Sequence, residues 1–231
     1  MNQIQQECAA RGITRLCHFT QSRNLSHMFD EPNGLWSTRT LRNNDMPHNP
    51  TDPDRYDGRD DLICCSVEYP NTYYFVKVRG HDHIFKEWVV LYIDSSYLWH
   101  TDTHFCPCNA SRERGRYIHS GIQSFQSLFG QTSPGINFTR PPKHLSASPT
   151  DIQAEVLVKD PMPLESIIGI AVQNDEQAQR EIFRLNLQNI LMDKPIYVVP
   201  DLFNRSTLSR MIQRGVRVTE ILYNNGGYHG R

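Results

Sequence analysis

The chain has 231 residues and a formal net charge of -1, with 38% hydrophobic and 21% charged residues. That length supports a substantial core in one large domain, and the near-neutral balance supplies no global basic field of the kind that announces nucleic acid. No apolar run approaches the ~20 residues of a membrane span and no secretory leader opens the chain, so a cytoplasmic protein without a membrane role is expected.

Residues 2–12 read as a short helix closed by Gly12, and residues 13–19 as a strand with Ile13, Leu16 and Phe19 able to pack. Ser22 to Phe29 reads as a helix with Ser22 as N-cap. Pro32, Asn33 and Gly34 break it, and Leu35-Trp36-Ser37 suggests a short strand. From Asn43 to Asp61 the chain is rich in Asp, Asn and Pro, which predicts a long loop of functional character. Leu62 to Val67 is an apolar strand, Tyr73 to Val78 is helix or strand, and Trp88 to Ile93 is the clearest buried strand.

Asp94-Ser95-Ser96 starts a helical turn ending near Trp99, Phe105 to Asn109 reads as irregular, and Ser120 to Phe129 as helix. A Ser/Pro-rich loop fills 131–149. Strands follow at Glu155 and at Ile167 to Val172, and Asp175 to Leu191 is an amphipathic helix. A short strand at Ile196 to Val199, a helix from Leu202 to Arg214 and a last strand from Val216 to Tyr223 complete the order. The tail from Gly226 is expected to fray.

The six cysteines are irregularly spaced and read as reduced. His104-Phe105-Cys106-Pro107-Cys108 lacks a C-x2-C pair and a second half-site, so a structural loop is favoured over zinc and no metal is expected. Charge is uneven. Acids dominate between Asp45 and Asp61, whereas Arg112, Arg114, Arg116, Arg140 and Lys143 face only Glu113 and are interleaved with Tyr117, Phe125, Phe129 and Phe138. Basic groups among aromatics suit single-stranded nucleic acid, and equally suit a solvated loop with core aromatics.

The run Gln153-Ala154-Glu155-Val156-Leu157-Val158 sets one carboxylate in an otherwise apolar strand. A Glu there must find a partner, face a cleft or lose its charge, unless it lies on a solvated face. His18 alone reads as a strand-end histidine, and Arg55 as a surface ion pair. No Walker loop, dinucleotide fingerprint, H-E-x-x-H or G-x-S-x-G is present.

Taken in order, several segments carry a resemblance. They are Leu16-Cys17-His18-Phe19-Thr20 with Asn24-Leu25, then Gly34-Leu35-Trp36-Ser37, then Arg55-Tyr56-Asp57-Gly58 leading to Ile63 through Asn71. Trp88-Val89-Val90-Leu91, Leu98-Trp99, Phe105 through Ala110 and Pro149 through Val158 follow. Together, over roughly residues 14 to 172, the chain resembles the DarT family of toxins that ADP-ribosylate DNA bases.

The resemblance implies an α+β ADP-ribosyltransferase fold: two central β-sheets, with flanking helices, packed around an NAD cleft. It spans a single domain, 1–231, whose segment 173–231 carries no motif. It implies transfer of ADP-ribose from NAD to a base in single-stranded DNA, without a metal, within a toxin–antitoxin or phage-defence system that includes a macrodomain-type antitoxin. By the motif match, His18 and Thr20 hold nicotinamide and its ribose, and Asn24 and Leu25 line the cleft. Glu155 is the catalytic carboxylate, and Arg55 lies over the phosphates or near the base, with Arg39, Arg42 and Arg59 as neighbouring alternatives. The loop before Glu155, with its basic stretch, recognises substrate.

The chemistry suits these residue types. A fixed carboxylate stabilises the developing oxocarbenium and assists deprotonation of an attacking base nitrogen. Arginine neutralises pyrophosphate bidentately, and histidine donates to a ribose hydroxyl. The sequence leaves guanine and thymine open as acceptors. It also leaves open transfer to RNA, NAD hydrolysis without an acceptor, and a non-catalytic binding module.

Overall fold

The computed structural model describes residues 2–30, 33–46, 48, 54–80 and 85–224. Among these residues nine strands share one hydrogen-bonded order. They are β1 (Arg15–Gln21), β2 (Leu62–Val67), β3 (Trp88–Asp94), β4 (His104–Cys106), β5 (His119–Ser120), β6 (Glu155–Lys159), β7 (Ile167–Val172), β8 (Ile196–Val198) and β9 (Ile221–Leu222). Across the sheet they run β5-β4-β6-β2-β1-β3-β7-β8-β9. Every pairing is antiparallel except β7 with β8.

The two-sheet detail of the expected fold is not confirmed, but the single sheet has a seam. β1 pairs with β3 along its whole length, from Arg15 opposite Asp94 to Gln21 opposite Trp88. With β2 it pairs only at Leu16 and Cys17. The earlier residues of β2, Leu62 to Cys65, pair instead with β6. β2 thus changes partner midway, and beyond Cys17 it parts from β1.

Among the described residues seven α-helices flank the sheet: α1 (Gln3–Arg11), α2 (Leu25–Phe29), α3 (Thr38–Asn43), α4 (Thr72–Arg79), α5 (Ile122–Ser127), α6 (Asp175–Asn186) and α7 (Arg205–Gln213). Asn2 caps α1 through its side chain, and Gly12 ends it in the left-handed conformation that glycine adopts without Cβ strain. Gly34 also has a positive φ, and a Cβ there would fall 2.3 Å from the Met162 carbonyl oxygen, so the Leu35–Met162 bridge requires a residue without one. The core is the apolar run of β3, buried along Trp88 to Ile93, with Leu16, Phe75, Val156, Val158, Ile167 and Ile170 to Val172 around it. Phe19, Phe75, Trp88 and Phe203 stack edge-to-tilted within it, a geometry that aromatic quadrupoles favour.

Several expectations shift. Ser22 opens a 3-10 turn rather than capping an α-helix, because its hydroxyl accepts from Arg184 instead. Leu35 to Ser37 forms only the isolated bridge, and Ser37 caps α3, a helix not foreseen. Tyr73 to Val78 is helical, within α4 capped by Asn71. The stretch at 104–106 is a strand, β4, where irregular chain was expected. Leu202 and Phe203 belong to a 3-10 turn ahead of α7, and the final strand contracts to Ile221–Leu222. The Gly-rich tail beyond residue 224 lies outside the described residues, as do residues 49–53 of the Asp/Pro-rich loop. No helix among the described residues is long and apolar enough to cross a membrane.

Candidate active site

Glu155 opens β6. Successive side chains of a strand alternate between faces, so Glu155 shares a face with Leu157, and with Cys106 directly opposite on β4. Beneath it Leu62, Cys106, Cys108, Ala110 and Leu157 form a small buried cluster of their own. The carboxylate therefore sits at the end of an apolar patch, and burial pushes it up to about 7. The Ala110 N–H, the Cys64 thiol and Arg55 pull it back, while Asp57 pushes it further up. Its Oε1 accepts from Asn109 Nδ2 at 2.9 Å and from the Ala110 backbone N–H at 3.1 Å. Asn109 is fixed in turn by Ser111, whose backbone N–H and hydroxyl both donate to Asn109 Oδ1.

His18 and Thr20 lie on one face of β1, two residues apart. His18 is at the point where β1 leaves β2. Its ring spans the gap there, with Nδ1 2.8 Å from the Cys64 carbonyl oxygen. A carbonyl can only accept, so Nδ1 carries the proton. Burial lowers the pKa of His18, which keeps the ring neutral at neutral pH. Its Nε2 is therefore a hydrogen-bond acceptor, and the expectation that His18 donates to a ribose hydroxyl is reversed: the hydroxyl would donate to it. Thr20 is buried and its hydroxyl accepts from Asn24 Nδ2 at 2.9 Å. Leu25 is fully packed in the core at the start of α2.

Arg55 has a positive φ and is a clamp for its own loop. Its guanidinium grips Asp57 with bonds of 3.0 and 2.9 Å and donates to the carbonyls of Leu62 and Arg59. It is also close enough to Glu155 and Cys64 to act on both electrostatically. Arg39 and Arg42 pair with Asp60, and Arg59 with Asp61. Cys64 is thus the common neighbour: its carbonyl holds His18, and its side chain borders Glu155 and Arg55.

The basic stretch is less exposed than its composition suggests. Arg112 packs against Gly135, and Arg140 donates to Ser148 O, Thr150 Oγ1 and Leu145 O, tying the 140–150 loop together. Burial lowers Arg140 to about 10. Arg116 is exposed and pairs with Glu113 at 3.0 Å, while Arg114 and Lys143 are exposed. Among the described residues no group of three or more His, Cys, Asp or Glu could hold a metal. Cys106 and Cys108 place their sulfurs 3.8 Å apart, while His104 turns to the Asp102 carbonyl.

Asn109 and Ala110 escaped notice as site residues. The one available signal was an Asn-Ala pair just after Cys-Pro-Cys, and nothing in the sequence tied it to a carboxylate 45 residues away.

A family model described as ssDNA thymidine ADP-ribosyltransferase, DarT, matches residues 17–204. Comparison with curated proteins finds no match. Among solved structures, Thermus sp. 2.9 DarT in complex with NAD+ aligns with TM-score 0.56 at 14% identity, covering 82% of this chain and 97% of that one. The same protein in complex with ADP-ribosylated ssDNA aligns with TM-score 0.55 at 14% identity, covering 83% and 97%. Thermosipho africanus DarTG in complex with ADP-ribose gives 0.57 at 12% identity over 82% of this chain and 51% of that one. The chain therefore spans about half the length of that Thermosipho protein. At these identities the structures establish a shared fold, and the family match spans most of the chain: it belongs to the DarT family of ssDNA thymidine ADP-ribosyltransferases.

Proposed function

We propose that this chain transfers ADP-ribose from NAD to thymidine in single-stranded DNA, with Glu155 as the catalytic carboxylate. The observation that carries this reading is the grouping of Glu155, Arg55 and His18 around Cys64, at the seam where β1 and β2 part. His18 Nε2 accepts from a ribose hydroxyl, and Thr20 and Asn24 line the same cleft beside the nicotinamide end of NAD. The bond between C1′ and the nicotinamide nitrogen breaks with its electron pair going to nicotinamide. The thymine ring nitrogen N3 attacks C1′ and gives its proton to Glu155. The carboxylate also stabilises the oxocarbenium character that develops between those two events. Thymine N3 is tied up by pairing in a duplex, which accounts for a single-stranded substrate. Arg55, already holding Asp57, acts as an electrostatic neighbour of the carboxylate and orders the loop around it.

The unbroken sheet supports reading residues 1–231 as a single ADP-ribosyltransferase domain. The family supports a toxin acting on cytoplasmic DNA and paired with a macrodomain-type antitoxin that removes the mark. The test is mass spectrometry of single-stranded oligonucleotides incubated with the protein and NAD. One ADP-ribose is added to thymidine-containing DNA, and Glu155→Ala lowers the rate by about 10²–10³-fold, the scale of a lost electrostatic stabiliser. An adduct on RNA alone would change the substrate, and intact NAD with no adduct on either would refute the enzyme reading.

A further inference from the structure

Beneath Glu155 two thiols face each other. Cys106 of β4 and Cys108, with Pro107 between them, place their sulfurs 3.8 Å apart in the small buried cluster under the carboxylate. The pair is unequal. A hydrogen bond with the Cys106 thiol, with Arg112 close by, holds Cys108 below the usual thiol pKa against the effect of burial, and the same bond raises Cys106. One sulfur is thus disposed to be a thiolate and its neighbour to keep its proton, the arrangement of an attacking and a resolving cysteine.

The residues joined to this pair are those that hold Glu155. Asn109 and Ala110, next after Cys108, both donate to the carboxylate, and Cys106 lies directly opposite Glu155 across the β4–β6 pairing. Pro107 is anchored from the other side by the Ser133 hydroxyl, which donates to its carbonyl at 2.5 Å. Both cysteines are buried, and half-buried Tyr117 and Ile118 of the turn at 111–118 pack over them. The backbone hydrogen bonds of that turn are local, from Arg114 to Ser111, Arg116 to Glu113 and Ile118 to Gly115. Glu113, Arg114 and Gly115 have positive φ in succession, which is costly for the two that carry a Cβ. A cover of this kind opens more readily than the sheet beneath it, and hydrogen peroxide is scarcely larger than water.

Resting on the transferase reading above, we propose that Cys106 and Cys108 are a redox site that takes a small peroxide and, by closing a disulfide, withdraws the donors that hold Glu155. The Cys108 thiolate attacks one peroxide oxygen, the O–O bond breaks, and the other oxygen leaves as water after taking a proton. The Cys106 sulfur then attacks the Cys108 sulfenic acid: the S–S bond forms, the S–O bond breaks, and a second water leaves. Two thiols have given up two electrons and two protons, and one hydrogen peroxide has become two waters. The sulfurs must close from 3.8 Å to about 2.05 Å. With Pro107 held by Ser133, that movement falls on the 108–110 side and draws Asn109 and Ala110 from the carboxylate. A dithiol reverses the step by thiol–disulfide exchange. Transient, sensing disulfides of this sort are the ones found in reducing compartments.

The protein is treated with hydrogen peroxide, quenched with catalase and divided. One portion is unfolded and alkylated for peptide mass spectrometry, and the other is assayed for transfer to a thymidine oligonucleotide before and after dithiothreitol. The peptide carrying Cys106 and Cys108 loses two hydrogens and takes no alkyl group, while Cys8, Cys17 and Cys65 are still alkylated. Transfer falls about tenfold or more, the scale of a displaced site group, and returns with dithiothreitol. Cys106→Ala with Cys108→Ala, its folding checked by thermal melts, keeps its transfer and loses the sensitivity. No 106–108 disulfide, or a disulfide with transfer unchanged, overturns the proposal. Inactivation that persists in the double variant also overturns it, and places the sensitive thiol at half-buried Cys64. If the double variant does not fold, the wild-type peptide map decides: inactivation that tracks the 106–108 disulfide supports the proposal, and inactivation that tracks Cys64 overturns it. Should the reduced protein transfer to no oligonucleotide, the DNA-modifying reading fails by itself. Amide hydrogen exchange then decides the switch: a 106–108 disulfide that speeds exchange at Ala110 supports it, and no disulfide or unchanged exchange overturns it.

Discussion

Glu155 is held between two demands. The apolar cluster under it favours the neutral acid, and the role proposed for it needs the anion. With its pKa at about 7, kcat/KM should rise along an ascending limb centred near pH 7, since that limb reports the free enzyme's essential base. Asn109 and Ala110 donate to the charged form, so removing one donor disfavours ionisation. Asn109→Ala should move the limb to higher pH, and a pH–rate series on both proteins checks it; an unmoved limb would leave Asn109 a purely structural residue. The same balance appears in stability. The folded pKa lies above the ordinary 4.5, so the native state binds more protons than the unfolded chain between those values, and stability falls as pH rises from about 4.5 to 7. Glu155→Gln removes that charge. At pH 8 it should stabilise the fold by about 2 kcal/mol, and the gain should vanish at pH 4, as read by denaturant melts at the two pH values.

At the level of elements, the segment after α7 proves to be a clip on the β1–β2 seam. Glu68 is 1% exposed at the end of β2, where its carboxylate accepts from the Thr14 backbone and hydroxyl and from Arg217 Nη1 at 2.6 Å. Glu220 pairs with Arg15 of β1 and accepts from the Tyr92 hydroxyl of β3. Glu68 is buried but its Arg217 partner is 45% exposed and Thr14 still donates to the carboxylate, so Arg217→Ala should destabilise the fold by only about 1–2 kcal/mol. Chemical denaturation measures it, and a loss below about 0.5 kcal/mol would mean that Thr14 alone satisfies Glu68. Nothing in the sequence marked Arg217 or Glu220, because ion pairs between distant segments leave no local period. What was legible followed local rules. The apolar runs of β2, β3 and β7 are set by neighbours in sequence and stand where patterning put them, whereas the capped amphipathic α6 starts at Asp175 as expected but ends at Asn186, short of Leu191. β4 was missed because a three-residue strand is made by its partner β6 rather than by its own pattern. His18 and Glu155 were singled out through family motifs, whereas the Asn109 contact that fixes the Glu155 carboxylate exists only once β4 and β6 pair.

Over the whole molecule, charge decides how DNA can be held. A net charge of -1 gives no long-range attraction for a polyanion. The basic stretch supplies less than its count, since Arg112 and Arg140 are engaged inside the fold and Arg116 is neutralised by Glu113. Exposed there without an ion pair among the described residues are Arg114 and Lys143. Binding must then rest more on base contacts in the cleft than on phosphate neutralisation. For single strands, each neutralised phosphate contributes about -0.7 to the slope of log K against log salt. A slope of about -1 to -2 is therefore expected, shallow for a nucleic-acid enzyme, and Arg114→Ala with Lys143→Ala should bring it close to zero without abolishing binding. Anisotropy titrations of a thymidine oligonucleotide from 50 to 300 mM salt, at roughly physiological ionic strength and around it, would measure this. A slope of about -4 or steeper, unaffected by the double variant, would place the phosphate contacts on another face and remove the 112–143 stretch from the DNA path.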